Sequence, residues 1–143
     1  MNQAEADRDN LARTIWGEAR GELYGGQVAI ANVVMNRFKR PGWWSRERGD
    51  GIPDDTIQAV CRDPWQFSCW NKGDPNLPHM LALTDEELKP YLFIADAYVN
   101  KGAALDLTFG STHYHNSTVS PDWAEGKTPV VQIGRHFFYN QIS

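Results

Sequence analysis

Apolar residues recur at helical spacing through the first third of the chain. Leu11 and Ile15 share a face at i, i+4, with Ala12 and Trp16 the next pair round, so residues 5–20 are predicted as a first helix. Gly21 and the Gly25-Gly26 pair are expected to stop it. From Gln27 to Phe38, Val28, Ala31, Val34 or Met35, and Phe38 form a second stripe, with Asn32 and Asn36 off it and Pro41-Gly42 ending it. Residues 41–53 read as a surface loop, and Asp54 or Asp55 as the cap of a short helix running to Cys61. From Asp63 to His79, four punctuating residues (Pro64, Gly73, Pro75 and Pro78) predict a long irregular stretch. Thr84-Asp-Glu-Glu87 is a capping-box pattern, but Pro90 is expected to confine it to one turn before a helix from about Pro90 to Asn100. Beyond Thr108, residues 112–116 and 129–139 are rich in β-branched and aromatic side chains. They read as antiparallel strands joined across residues 117–128. A helical body followed by a small sheet predicts an α+β fold.

Length and composition narrow the partners. At 143 residues, with 41% apolar content, the chain is expected to be one domain spanning residues 1–143, with a core that needs no staples. A net charge of −4 argues against nucleic acid as partner. No window approaches the ~20 continuous apolar residues of a membrane span. Residues 1–10 are polar, with no signal-peptide core, so the chain is expected either to be made in the cytosol and to cross membranes by other means or to have lost a leader by trimming. A monomer is the default expectation. Cys61 and Cys69 form no CxxC pair; a disulfide and two buried thiols are both open readings.

The candidate chemistry centres on Glu18, which lies at the end of an apolar helical segment beside Trp16 and just before Gly21. Desolvation and the negative end of the helix dipole both disfavour a carboxylate there, as general-acid cleavage of an acetal requires. Glu22 lies four residues on, and Gly21 is expected to leave it nearby but not stacked. No convincing second carboxylate partners Glu18, because Asp54, Asp55, Asp63 and Asp74 all sit in turn-like contexts.

Glu18-Ala-Arg-Gly-Glu22, residues 25–37, Pro64-Trp-Gln-Phe-Ser68, Tyr114-His-Asn116 and Ile133-Gly-Arg-His-Phe-Phe-Tyr139 together resemble the SleB/CwlJ cell-wall hydrolase family over residues 11–139. The resemblance implies a lysozyme-like fold and cleavage of the β-1,4 bond between N-acetylmuramic acid and N-acetylglucosamine in peptidoglycan. It makes Glu18 the catalytic residue. Glu22, Trp65, Gln66, Phe67, Ser68, Trp70, Tyr114 and Asn116 become candidate substrate-binding residues, and glycan strands the partner, with no cofactor or metal. Spore members of the family are described as lytic transglycosylases, and a single-acid route agrees with that outcome, with muramidase-type hydrolysis as the alternative. The chain shows no peptidoglycan-binding repeat ahead of the domain. Its 61–69 loop and 117–128 tail look like the short forms of phage and proteobacteria, so a phage lysis or virion enzyme or a bacterial remodelling enzyme is expected.

Two other classes remain open. His113 and His115 form an HxH pair that His79, His136 or Glu18 could complete as a zinc site of an amidase or peptidase. Six tryptophans would also permit a peptidoglycan-binding module without catalysis.

Overall fold

A computed structural model describes residues 1–45 and 55–143. The helical body comprises α1 (Gln3–Ala19), α2 (Tyr24–Lys39), α3 (Ile57–Arg62), α4 (Leu77–Ala82) and α5 (Asp85–Val99). Three strands follow, β1 (His113–Asn116), β2 (Val131–Ile133) and β3 (His136–Tyr139), as an antiparallel sheet in the order β1-β3-β2. The predicted α+β class, a helical body with a small C-terminal sheet, holds.

Helix α1 is central and packs against the other four helices. Asn2 caps it by accepting the Glu5 amide at 2.8 Å. Its Leu11 and Ile15 are fully buried with Ile30, Val33 and Val34 of α2, Met80 of α4, Leu88 and Ile94 of α5, and Phe138 of β3. Burying each such side chain contributes roughly 1.5–3 kcal/mol.

Several local expectations are corrected. Gly25-Gly26 do not precede α2 but lie in its first turn, because the chain approaches itself there: a Cβ on Gly26 would stand 2.8 Å from the Glu22 Cβ. Thr56, not Asp55, caps α3 through the Ala59 amide, while Asp54 lies outside the described residues, as does most of the 41–53 loop. Within that loop, residues 43–45 form a 3-10 turn that buries Trp44. The 63–79 stretch contains a 3-10 turn at residues 68–70 and the start of α4; Pro78 sits in the first helical turn, where a missing N–H costs nothing. Helix α5 runs unbroken from the Thr84–Glu87 capping box through Pro90. Leu88, Leu92, Ile94 and Ala95 are buried on both sides of this exposed proline and hold the helix together. Residues 129–139 form two strands, not one, with Gly134 (φ +58°) at the turn between them.

The polar edge of α2 anchors the approach to the sheet. Asn32 binds the Leu105 carbonyl and the Leu107 amide, both at 2.9 Å. Asn36 donates to Asp106 at 2.9 Å and to the Ser111 carbonyl at 3.0 Å. The buried Arg37 donates from Nε to the Thr112 carbonyl at 2.6 Å, immediately before β1. These contacts fix where β1 meets the end of α1.

Candidate active site

Glu18 lies in the last turn of α1, half-buried, where the 67–70 turn and β1 converge. The Tyr114 hydroxyl donates to Glu18 Oε1 at 2.5 Å, and the Cys69 amide reaches Oε2 at a longer 3.4 Å. Burial pushes the Tyr114 phenol well above its ordinary value of 10, and the adjacent Glu18 carboxylate pushes it further, so Tyr114 keeps its proton and remains a donor. Burial, then the same carboxylate, also raises the Cys69 thiol, which therefore stays protonated. Gly17 permits the approach of the 67–70 turn: a Cβ there would stand 2.4 Å from Cys69 Cβ and 2.7 Å from its Sγ.

Strand alternation separates two faces of the sheet. Tyr114, His136 and Phe138 face the helices and Glu18. His113, His115, Phe137 and Tyr139 face the other way. There His113 packs among Trp43, Trp44 and Trp123, with ring centroids 4.8–5.0 Å apart. Burial, with a smaller push from the Arg37 charge, lowers His113 from 6.5 to about 3, so it is neutral. His115 contacts the Tyr139 hydroxyl at 2.8 Å. His79 stacks on Trp16, and His136 sits beside Glu22, its Nδ1 3.6 Å from Glu22 Oε1. The HxH pair thus points away from Glu18, and among the described residues no three His, Cys, Asp or Glu side chains come together as metal ligands. This donor arrangement does not fit the zinc reading.

Several candidate binding residues take other places. Glu22 faces the sheet: its Oε1 accepts the Arg135 amide at 3.3 Å, and its Oε2 would lie 2.7 Å from a Cβ on Gly134, so it clasps the β2–β3 turn. Phe67 is 1% exposed and belongs to the core, under the Arg37 guanidinium. Gln66 accepts on its amide oxygen from the Arg37 guanidinium at 3.0 Å, which ties the loop to α2. Tyr114 spends its hydroxyl on Glu18 and so orients that carboxyl group. Asn116 accepts from the Thr118 amide and hydroxyl at 3.0 and 2.9 Å and closes the turn after β1. Trp70 donates to Thr14 at 2.9 Å and lies under Arg62. Among these candidates Trp65, 71% exposed, and Ser68 are the exposed ones, while Glu22, Gln66, Trp70, Tyr114 and Asn116 are half-buried. Cys61 and Cys69 are both free buried thiols, so the disulfide reading is not realised. Burial pushes Cys61 up to about 12.

Arg37 was missed as a residue that ties the site loop to the helices, and His136 was read only as a candidate zinc ligand, not as a neighbour of Glu22. Arg37 continues the row of Ile30, Val33 and Val34 on α2, and a cation on a buried row was the available signal. Nothing in the local pattern around His136 marks its contact with Glu22.

The fold and site define a lysozyme-like α+β domain with one carboxylate held between a helix end and a strand. Residues 21–139 match the Cell Wall Hydrolase family, and the chain belongs to it. Glu18 lies three residues before the matched stretch. Similar proteins include the spore cortex-lytic enzymes of Halalkalibacterium halodurans (28% identity, covering 96% of this chain and 36% of that protein) and Bacillus subtilis (28%, covering 90% and 35%). The chain thus spans well under half the length of these curated relatives. Two solved structures are similar as well. One is the catalytic domain of the Bacillus cereus SleB protein (TM-score 0.64, 26% identity, covering 94% of this chain and 89% of that one). The other is the catalytic domain of the germination-specific lytic transglycosylase SleB from Bacillus anthracis (TM-score 0.65, 26%, covering 94% and 93%).

Proposed function

We propose that this chain cleaves peptidoglycan glycan strands at the β-1,4 bond from N-acetylmuramic acid to N-acetylglucosamine, with Glu18 as the only acid and base. The observation that carries this reading is the asymmetry at Glu18. Oε1 is held by a short bond from Tyr114, whereas Oε2 has only a long amide contact. Oε2 is therefore the oxygen suited to exchange a proton with substrate. The nearby Glu22 is committed to the β2–β3 turn, which removes it as a paired carboxylate and favours a one-acid route.

In that route Glu18 gives its proton to the glycosidic oxygen as the bond from that oxygen to the muramoyl C1 breaks. Glu18, now a carboxylate, is stabilised by the Tyr114 hydroxyl, since a charge-assisted bond is roughly twice as strong as a neutral one. It then takes the proton of the muramoyl C6 hydroxyl as that oxygen bonds to C1. The products are a 1,6-anhydromuramoyl end and a free N-acetylglucosamine hydroxyl, and no water is consumed. Membership of the family and the lytic transglycosylase among the similar structures support the same outcome.

The substrate places the action at the wall, outside the cytoplasmic membrane, and the role we infer is that of a monomeric phage lysis or virion enzyme, or of a bacterial remodelling enzyme. Among the described residues no helix is long and apolar enough to cross a membrane. Mass spectrometry of purified sacculi digested by the protein tests the chemistry. Anhydromuramoyl ends are expected. Reducing muramic ends alone would replace transglycosylation by hydrolysis, and an absence of soluble fragments would remove cleavage altogether.

A further inference from the structure

Trp65 combines two features that work against each other in a purely structural residue. Its backbone sits at φ +69°, in the left-handed region that disfavours a bulky side chain, yet the residue is 71% exposed. Such strain costs of order 1–3 kcal/mol and persists where the surrounding structure enforces it. Little burial of the indole offsets it here. With Pro64 and Trp70, Trp65 walls a mainly apolar cavity of about 240 Å³, completed by Arg62, Asp63, Asn71 and Lys72. Trp70 is fixed in that wall by Thr14 and Arg62, so the cavity has one rigid aromatic side and one exposed one. The same loop carries Cys69, whose amide reaches Glu18.

We propose that this cavity is a glycan subsite, in which an N-acetylated pyranose ring stacks its apolar face on Trp65. The inference rests on the peptidoglycan reading above and adds a second point of attachment to it. Three features select a sugar as occupant. A pyranose presents a flat C–H face to an indole and hydroxyls at its edge. The cavity offers the matching pair, a mainly apolar lining and, within it, the polar side chains of Asn71 and Lys72. Its wall residue Trp70 directly follows Cys69, whose amide reaches Glu18, so the cavity and Glu18 share one loop. The left-handed backbone at residue 65 sets where the indole stands, which accounts for strain kept at a solvent-exposed position.

Isothermal titration calorimetry of the full chain with chitotetraose as probe tests the subsite without requiring catalysis. Trp65→Gly is expected to weaken binding about ten-fold, or ~1.4 kcal/mol. It should leave Tm unchanged or raise it, because glycine adopts this φ without strain. Trp65→Phe keeps a flat face and should recover affinity to within about three-fold of wild type. A Kd for Trp65→Gly within two-fold of wild type overturns the proposal. A loss of affinity matched by a fall in Tm overturns it too, since that marks a residue needed for the fold. Digestion of sacculi by the wild-type protein, scored separately, reports on the catalytic reading whichever way the titration falls.

Discussion

Replacing Gly17 with alanine sets two effects of opposite sign against each other. Alanine in place of glycine inside a helix stabilises by roughly 0.5–1 kcal/mol, through propensity and unfolded-state entropy. At this position the added Cβ would stand 2.4 Å from Cys69 Cβ, 2.7 Å from Cys69 Sγ and 3.1 Å from Met80 Sδ. Ordinary carbon contacts lie at about 3.5–4.0 Å, so the 68–70 turn must move by about 1 Å, and a Cβ moves only with its backbone. Overpacking of this kind costs typically 1–3 kcal/mol, which outweighs the gain and leaves a net loss of about 1–2 kcal/mol. For a domain of this size that corresponds to a Tm lower by roughly 3–7 °C. The displaced turn also carries the Cys69 amide away from Glu18, so sacculus lysis should slow more than the stability loss alone explains. Thermal unfolding followed by circular dichroism reads the first effect, and a turbidity assay on purified sacculi the second. Adding Cys69→Gly should return Tm toward the parent value, because it removes the atoms that clash. A Gly17→Ala protein that melts at or above the wild-type temperature would refute the packing argument.

Other expectations follow from single contacts. Tyr114→Phe removes the donor to Glu18 while keeping the ring, and hydrogen bonds to charged groups are worth ~1.5–3 kcal/mol. A fall of about 10–100-fold in kcat is expected, together with a Tm lowered by no more than the lost bond accounts for, whereas unchanged kcat would show that the contact is idle. His113 is neutral in the folded protein and its folded pKa lies below its unfolded value, from 6.5 down to about 3. The stability it contributes is therefore complete above about pH 6.5 and lost as pH falls toward 3, because only the unfolded chain takes up the proton. Tm measured against pH should be flatter over that window for His113→Phe. Treatment with EDTA should leave lysis of sacculi intact, and loss of activity restored by zinc would revive the metal reading.

The elements that were legible in the sequence are those whose cause is local. The Leu11–Ile15 and Val28–Phe38 stripes, the Thr84–Glu87 capping box and the β-branched C-terminal segments each carry their own signal, and each became an element. The misread positions are those where a long-range contact overrides a local rule. Gly25-Gly26 reads as a breaker, but the glycine at 26 is needed for close approach to Glu22. Pro90 reads as a boundary, but apolar burial around it holds α5 together. The site divides the same way. Glu18 stands out because its helix ends beside it. The Tyr114 bond to Glu18 spans 96 residues and the Glu22 bond to Arg135 spans 113, and no short-range pattern encodes either. Phe67 read as a groove residue because a long loop rich in aromatics suggests function, yet in the fold it is a buried anchor that seats that loop, whereas Trp70 both anchors the loop through Thr14 and lines the cavity beside Trp65.

The most direct test of Glu18 as the proton-transferring group is the isosteric Glu18→Gln substitution, with lysis and retention measured on the same purified sacculi. Glutamine keeps the size of the side chain but can neither give nor take the proton. The expected result is binding to sacculi within a few-fold of wild type, with release of soluble muropeptides reduced by at least about a thousand-fold. Wild-type rates of release from the Glu18→Gln protein would contradict the assignment and leave a binding module, or another acid, in its place.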